Sequence, residues 1–169
     1  NYTTERAHRE QVYPVIARHL AGVNPVSTGL IVKALAVPYI DFEIDVWAVI
    51  PKDRAHGHDR YRLINAKGGY LMPGLDFGNS KVVRANNHLF LQGQTGITLD
   101  GKGFVGEGDP AKQAETAMEN VHQLLADAGA TIDDVCKITT YMTDLSYREG
   151  IYRVLADNFR DVHPVSTGT

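Results

Sequence analysis

The sequence predicts an α+β fold, and three observations carry that prediction. Two segments place apolar residues at helical spacing behind capping residues, others are rich in β-branched and aromatic residues, and the two ends of the chain repeat one another. With 169 residues, 43% of them hydrophobic and 22% charged, the chain has the composition of one ordinary globular core. That composition excludes a disordered tail, a collagen-like fibre and a disulfide scaffold. The longest apolar stretches, such as 30–37 with Lys33 inside it, are too short to span a bilayer. The first residues show neither the basic region nor the apolar core of a signal peptide. A net charge of -3 leaves no electrostatic footprint for nucleic acid. Together with the single Cys136, these features lead us to expect a cytoplasmic protein with neither a membrane nor a nucleic-acid partner.

Sliding the chain on itself by 139 residues sets 1–29 on 140–168 with 13 of 29 positions identical. The identities include Tyr2/Tyr141, Thr4/Thr143, Arg9/Arg148, Glu10/Glu149 and Tyr13/Tyr152. They end in the unbroken run Pro25-Val26-Ser27-Thr28-Gly29 against Pro164-Val165-Ser166-Thr167-Gly168. Two arrangements fit this pattern. One is a piece of a tandem duplication, and the other is a circularly permuted domain that kept a redundant end.

Element by element, the first copy of the repeat predicts a helix that begins late or kinks at Pro14. Residues 30–36 and 40–50 read as strands joined by a turn at Val37-Pro38. On the second of these, Asp41, Glu43 and Asp45 share one face. Residues 52–78, with their glycines, histidines and Pro73, read as a long connection with little periodicity. Residues 81–85 and 88–92 form a hairpin about Asn86-Asn87, since Asn tolerates positive φ. Asp109-Pro110 caps a helix whose apolar residues Ala114, Ala117, Met118, Val121, Leu124, Leu125 and Ala128 make a core face, and Gly129 ends it. A strand over 135–142 places Cys136 with Ile138, Thr140 and Met142 on a face expected to be buried. Ser146-x-x-Glu149 has capping-box spacing and opens a second helix towards Phe159.

Two motifs invite functional readings that their contexts do not support. Gly101, Gly103 and Gly106 match the dinucleotide pattern G-x-G-x-x-G, but a helix N-terminus must follow directly to hold a pyrophosphate, and the next helix waits until Asp109. His56-Gly57-His58-Asp59 lies in a polar stretch without a second ligand cluster, so no metal is expected there. No cofactor is expected either.

Several segments together resemble the RidA (YjgF/YER057c/UK114) family of enamine/imine deaminases. They are Leu89-Phe90-Leu91-Gln92-Gly93-Gln94, the helix from Gln113 through Asn120-Val121, Ala128-Gly129-Ala130-Thr131-Ile132-Asp133-Asp134-Val135, the helix ending at Phe159, Pro25-Val26-Ser27-Thr28-Gly29 and Phe42-Glu43-Ile44-Asp45. In family order, residues 1–51 correspond to the C-terminal half of a unit, 52–78 to a connection and 79–169 to the N-terminal part of a unit. The resemblance implies a RidA-like, chorismate-mutase-like mixed β-sheet with two helices on one face, in which the 40–50 strand shares a sheet with the 135–142 strand. It implies a homotrimer with small-molecule ligands in clefts between subunits. It also implies that Glu43 is the catalytic carboxylate and that Ser27, Thr28, Asn79, Gly93 and Gln94 line the cleft, with Arg148 a further polar contact. One departure is chemically large. The family's RidA members carry an Arg two residues after the Pro, and here Ser27 and Ser166 stand in its place. A hydroxyl cannot replace a cation that forks onto a substrate carboxylate, an interaction of about 1.5–3 kcal/mol. The resemblance therefore implies hydrolytic deamination of an unassigned enamine or imine, or alternatively a trimeric metabolite-binding protein without that activity.

Overall fold

A computed structural model describes residues 1–64 and 78–169. They form two compact units, Asn1–Gly93 and Gln94–Thr169. The N-terminal unit contains β1 (Tyr2–Thr3), α1 (His8–His19), β2 (Leu30–Ile31), β3 (Phe42–Glu43), β4 (Asp59–Ile64), β5 (Asn79–Ala85) and β6 (His88–Leu91). Its strands make two sheets, of order β2-β1-β3 and β4-β5-β6. The C-terminal unit contains α2 (Pro110–Asp127), β7 (Lys137–Thr140), α3 (Arg148–Asn158) and β8 (Val165–Gly168). No helix among the described residues is long and apolar enough to cross a membrane.

The sequence repeat is a structural repeat. In the first copy β1 and β2 pair in parallel, with Tyr2 opposite Leu30. In the second, β7 and β8 pair in parallel from Lys137 opposite Val165 to Thr140 opposite Gly168. Both ladders join residues 28 apart in the chain, with a helix between them. The hydrogen bond from Leu30 N to the Asn1 carbonyl, 3.0 Å, recurs as Thr169 N to the Thr140 carbonyl, 3.0 Å. The Arg9 guanidinium lies 5.3 Å from the Tyr13 ring centre, and that of Arg148 lies 5.1 Å from the Tyr152 ring centre. Asn24 and His163, at equivalent positions before the repeated Pro, both have positive φ, 48° and 54°. Each copy thus closes its own βαβ element.

That closure corrects two expectations about the strands. β2 and β3 are not neighbours joined by a hairpin, because β1 lies between them and pairs antiparallel with β3, Tyr2 opposite Glu43. Nor do β3 and β7 share a sheet, since β7 pairs with β8. Both strands of the first copy are also far shorter than their apolar runs suggested, with only two residues in each ladder.

The hairpin and the longest helix match the sequence reading. β5 and β6 pair antiparallel, Ala85 opposite His88, about Asn86 at φ 58°. Val82 and Ser80 are fully buried in β5, and removing the apolar Val82 side chain from water contributes about 1.5–3 kcal/mol. β4 pairs with β5 within residues that read as an aperiodic connection. Residues 65–77 of that connection, including Pro73, lie outside the described residues. The Asp109 side chain accepts from Lys112 N at 3.0 Å and caps α2, and Gly129 follows its end at φ 74°. Met118, Leu124, Leu125 and Ala128 are buried, as the apolar stripe predicted. Helices α2 and α3 pack on one another, and His122 bonds Asn158 across them at 2.9 Å.

Two local expectations fail. The Ser146–Glu149 capping box does not form. Asp144 accepts from Ser146 N at 2.8 Å and starts a 3-10 turn ahead of α3, while Glu149 pairs with Arg153 at 2.8 Å. Cys136 is exposed rather than buried, as is every residue of β8, the strand beside it. The α1 helix begins at His8 despite Pro14, one position earlier than α3 in repeat register.

Candidate active site

The predicted site residues fall in both units. In the N-terminal unit, the Pro25–Gly29 run leaves α1 as an extended segment whose side chains are tied on two sides. Asn1 Nδ2 donates to Ser27 Oγ at 3.1 Å, and the Asn1 nitrogen donates to the Thr28 carbonyl at 3.0 Å. Tyr13 Oη donates in turn to Asn1 Oδ1 at 3.3 Å. On the other side, Gly93 N donates to Thr28 Oγ1 at 2.9 Å. A Cβ on Gly93 would stand 2.9 Å from that same oxygen, so only glycine lets the end of β6 approach so closely. The start of β5 meets the same segment, with Ser80 N donating to the Pro25 carbonyl at 3.0 Å and Ser80 Oγ to the Asn24 carbonyl at 2.7 Å. Asn79, next to Ser80, is 5% exposed and sits opposite Ile64.

Glu43 stands on β3 directly opposite Tyr2, the residue after Asn1. Opposed residues share a sheet face, so Glu43 lies on the Tyr2 and Leu30 side and Phe42 on the Thr3 and Ile31 side. The carboxylate face predicted from the sequence is borne out by its partners. Thr4 Oγ1 donates to Asp41 Oδ1 at 2.9 Å, and Tyr2 Oη to Asp45 Oδ2 at 3.4 Å. Glu43, between these two held carboxylates, is exposed and can therefore meet water or a small ligand. In β5, burial first and the Arg62 charge second lower the Lys81 pKa from its ordinary value.

The structure thus gathers Ser27, Thr28 and Gly93 about one segment, with Asn79 beside it and Glu43 two strands from β2. Gln94 and Arg148 belong to the C-terminal unit. There Arg148 stacks on Tyr152 and lines an open hollow of about 630 Å³ with Leu145, Ser146, Glu149 and Arg153. Ser166, the second Ser in the Arg position, lies in β8 opposite Ile138 and is exposed. Sequence reasoning missed Asn1, Tyr13 and Asn24, whose roles are contacts made across the fold. The Tyr13 signal was present as the Tyr13/Tyr152 identity. A Cβ on Gly29 would strike the Tyr13 hydroxyl, and one on Gly168 would strike that of Tyr152.

The two tempting motifs resolve as structural features. Thr98 and Gly103 exchange backbone and side-chain bonds about a turn at Asp100-Gly101, and Ile97 bridges Phe104. The three glycines therefore belong to a hairpin-like turn and its exit. His56 bonds Asp59 at 2.8 Å and His58 bonds the Val49 carbonyl at 2.7 Å. Among the described residues no group of three or more His, Cys, Asp or Glu could hold a metal ion.

A mixed α+β chain with these segments defines a class that comparison makes specific. The family model described as Endoribonuclease L-PSP matches residues 77–168, and the chain belongs to that family. A RutC family protein of Pyrococcus horikoshii is 34% identical over 86 residues, 50% of this chain and 67% of that protein. A second, of Pyrococcus abyssi, is 31% identical over 85 residues, 50% of this chain and 66% of its own length. The chain therefore spans about two thirds of these relatives. The fold is that of a solved member of the YjgF/YER057c/UK114 family from Mycobacterium tuberculosis, with TM-score 0.52, 23% identity and coverage of 67% of this chain and 83% of that one.

Proposed function

We propose that the protein is a hydrolytic enamine/imine deaminase whose water-directing base is Glu43. The observation that carries this reading is the closure of the Ser27–Thr28 segment onto Gly93 in the unit that also presents an exposed Glu43. Family membership supports the reaction class. A planar C=N substrate needs little covalent chemistry from the protein. Water adds to the imine carbon, Glu43 takes its proton, the nitrogen gains one, and the carbinolamine collapses to a carbonyl compound and ammonia. Ser27, Thr28, Asn79 and Gly93, all of the N-terminal unit, are the proposed lining.

The absence of a cation at Ser27 points to substrates without an α-carboxylate. Homotrimer formation, with ligand clefts between subunits, is part of the proposal, and exposed Ile44, Val46, Trp47 and Ile50 support it as apolar surface that association would cover. The net charge of -3 disfavours a ribonuclease role, and neither nucleic acid nor membrane is a proposed partner; the proposed site of action is the cytoplasm. One observation favours a second reading, a metabolite-binding protein without turnover. Ser27 Oγ already accepts from Asn1, so the loop offers no charged anchor for a reacting group. Ammonia release from freshly generated imines, with and without a carboxylate, separates the two. The deaminase reading predicts turnover of the carboxylate-free imine and a loss of about 100-fold or more in Glu43→Gln. Absent turnover, or full activity in Glu43→Gln, contradicts it.

A further inference from the structure

Adding water to an imine moves two protons. One leaves the water for Glu43, and the nitrogen must gain the other from a second group. That donor has to face the same side of the sheet as Glu43 and lie within the span of a small C=N substrate.

Tyr2 meets both conditions. It stands directly opposite Glu43 on the β1–β3 ladder and opposite Leu30 on the β1–β2 ladder, so the three share one face. Side chains opposed in this way leave their strands about 4.5–5.5 Å apart. Tyr2 is half-buried, and its Oη donates to Asp45 Oδ2 at 3.4 Å. That bond is long and exposed, so the proton is lightly held and can turn to a better acceptor. β3 runs antiparallel to β1 and β2 runs parallel to it. Asp45, after Glu43, and Thr28, before Leu30, therefore lie towards the same end of the sheet. The Tyr2 hydroxyl thus reaches towards the end where Gly93 N meets Thr28 Oγ1 at 2.9 Å.

The neighbouring groups are poorer donors. Asp41 and Asp45 accept hydrogen bonds, from Thr4 at 2.9 Å and from Tyr2. The hydroxyls of Ser27 and Thr28 are alcohols, far less acidic than a phenol with its ordinary pKa of about 10. His8 Nδ1 lies 3.5 Å from Thr4 Oγ1, at the opposite end of β1 from the Thr28–Gly93 closure.

We propose, on the footing that Glu43 is the base of a deaminase, that Tyr2 is the general acid. Its hydroxyl gives the imine nitrogen a proton as Glu43 takes one from water. The water oxygen bonds to carbon, and the π pair of C=N goes to nitrogen. On collapse the new hydroxyl gives its proton to the Tyr2 phenolate and its O–H pair forms C=O. Glu43 passes its proton to the nitrogen, and the C–N pair leaves with it as ammonia. Both side chains end as they began.

The test is ammonia release from a carboxylate-free imine, from neutral to alkaline pH, in wild type, Tyr2→Phe, Glu43→Gln and Tyr39→Phe. Tyr2→Phe should lower kcat about 100-fold with KM little changed. The wild-type rate should fall on the alkaline side as the phenol ionises, and Tyr2→Phe should lack that fall. A fluorinated tyrosine at position 2, more acidic but the same shape, should move the fall to lower pH. Tyr39→Phe, which alters a tyrosine 84% exposed and outside the site, should match wild type. Turnover lost in Glu43→Gln but kept in Tyr2→Phe overturns the inference and leaves the deaminase standing. So does an alkaline fall that neither change at position 2 moves. No turnover by wild type overturns both.

Discussion

The Gly93 N–H donates to the Thr28 hydroxyl oxygen at 2.9 Å, joining positions 65 residues apart. The bond is exposed, so its own contribution is modest, but it fixes the end of β6 on the loop that follows α1. Thr28→Val should cost about 0.5–1 kcal/mol by removing the acceptor. Gly93→Ala should cost more, because its Cβ would lie 2.9 Å from Thr28 Oγ1 and 3.0 Å from Cγ2. Thr28→Ala removes both atoms, so Gly93→Ala should cost less in that background. Urea denaturation of the two single variants and the double variant checks the coupling. Additive losses would mean the two residues do not act on one another.

Thr3 is 1% exposed, and among the described residues its Oγ1 is buried without a hydrogen-bond partner. The second copy carries Met142 at the equivalent place, so the hydroxyl is not needed by the βαβ element. Thr3→Val should stabilise the protein by about 1 kcal/mol, a shift visible as a higher urea midpoint with an unchanged slope.

Lys81 carries a charge that burial and the neighbouring Arg62 both disfavour in the folded state. Its folded pKa is lowered, so below that value lysine is charged in both states and the penalty on folding is complete. As pH rises from the folded value towards the ordinary one, the folded form sheds its proton and the penalty disappears. Lys81→Met should therefore raise the thermal midpoint at neutral pH, and the gain should shrink through the alkaline range. A gain that does not vary with pH would assign it to packing instead.

The parts of the fold that were legible in the sequence are those set by local chemistry. Asp109-Pro110 and Gly129 bound α2 because a cap and a positive φ are decided by one or two residues. Asn86 turns the β5–β6 hairpin for the same reason. The 139-residue repeat was legible because identity needs no structural knowledge, and the paired Arg9–Tyr13 and Arg148–Tyr152 contacts join residues it marked as identical. Strand lengths were over-read at 30–36 and 40–50, since an apolar run marks residues that avoid water without specifying a ladder partner. β4 was missed because its six residues sit among the glycines and histidines of an otherwise aperiodic stretch, with Arg62 inside it at φ 50°. Cys136 was misplaced for a related reason, because alternation names a face and burial depends on what covers it. For the candidate site, the resemblance singled out Glu43 and the Ser27–Thr28 segment. It did not point to Asn1 and Tyr13, because their partners lie 26 and 12 residues away across the turn of the chain.

The central claim is that the cleft keeps its water-directing carboxylate and has lost its carboxylate anchor. The most direct measurement is kcat/KM for ammonia release from an imine of a branched amino acid, in wild type and in Ser27→Arg. The account predicts slow turnover by wild type and a gain of about tenfold or more in Ser27→Arg, the worth of one charge-assisted pair. The gain should lie mainly in a lower KM, since an ion pair present in both ground and transition states acts there. It should vanish when Glu43→Gln is added. Brisk turnover of that imine by wild type, with no gain in Ser27→Arg, would contradict the account.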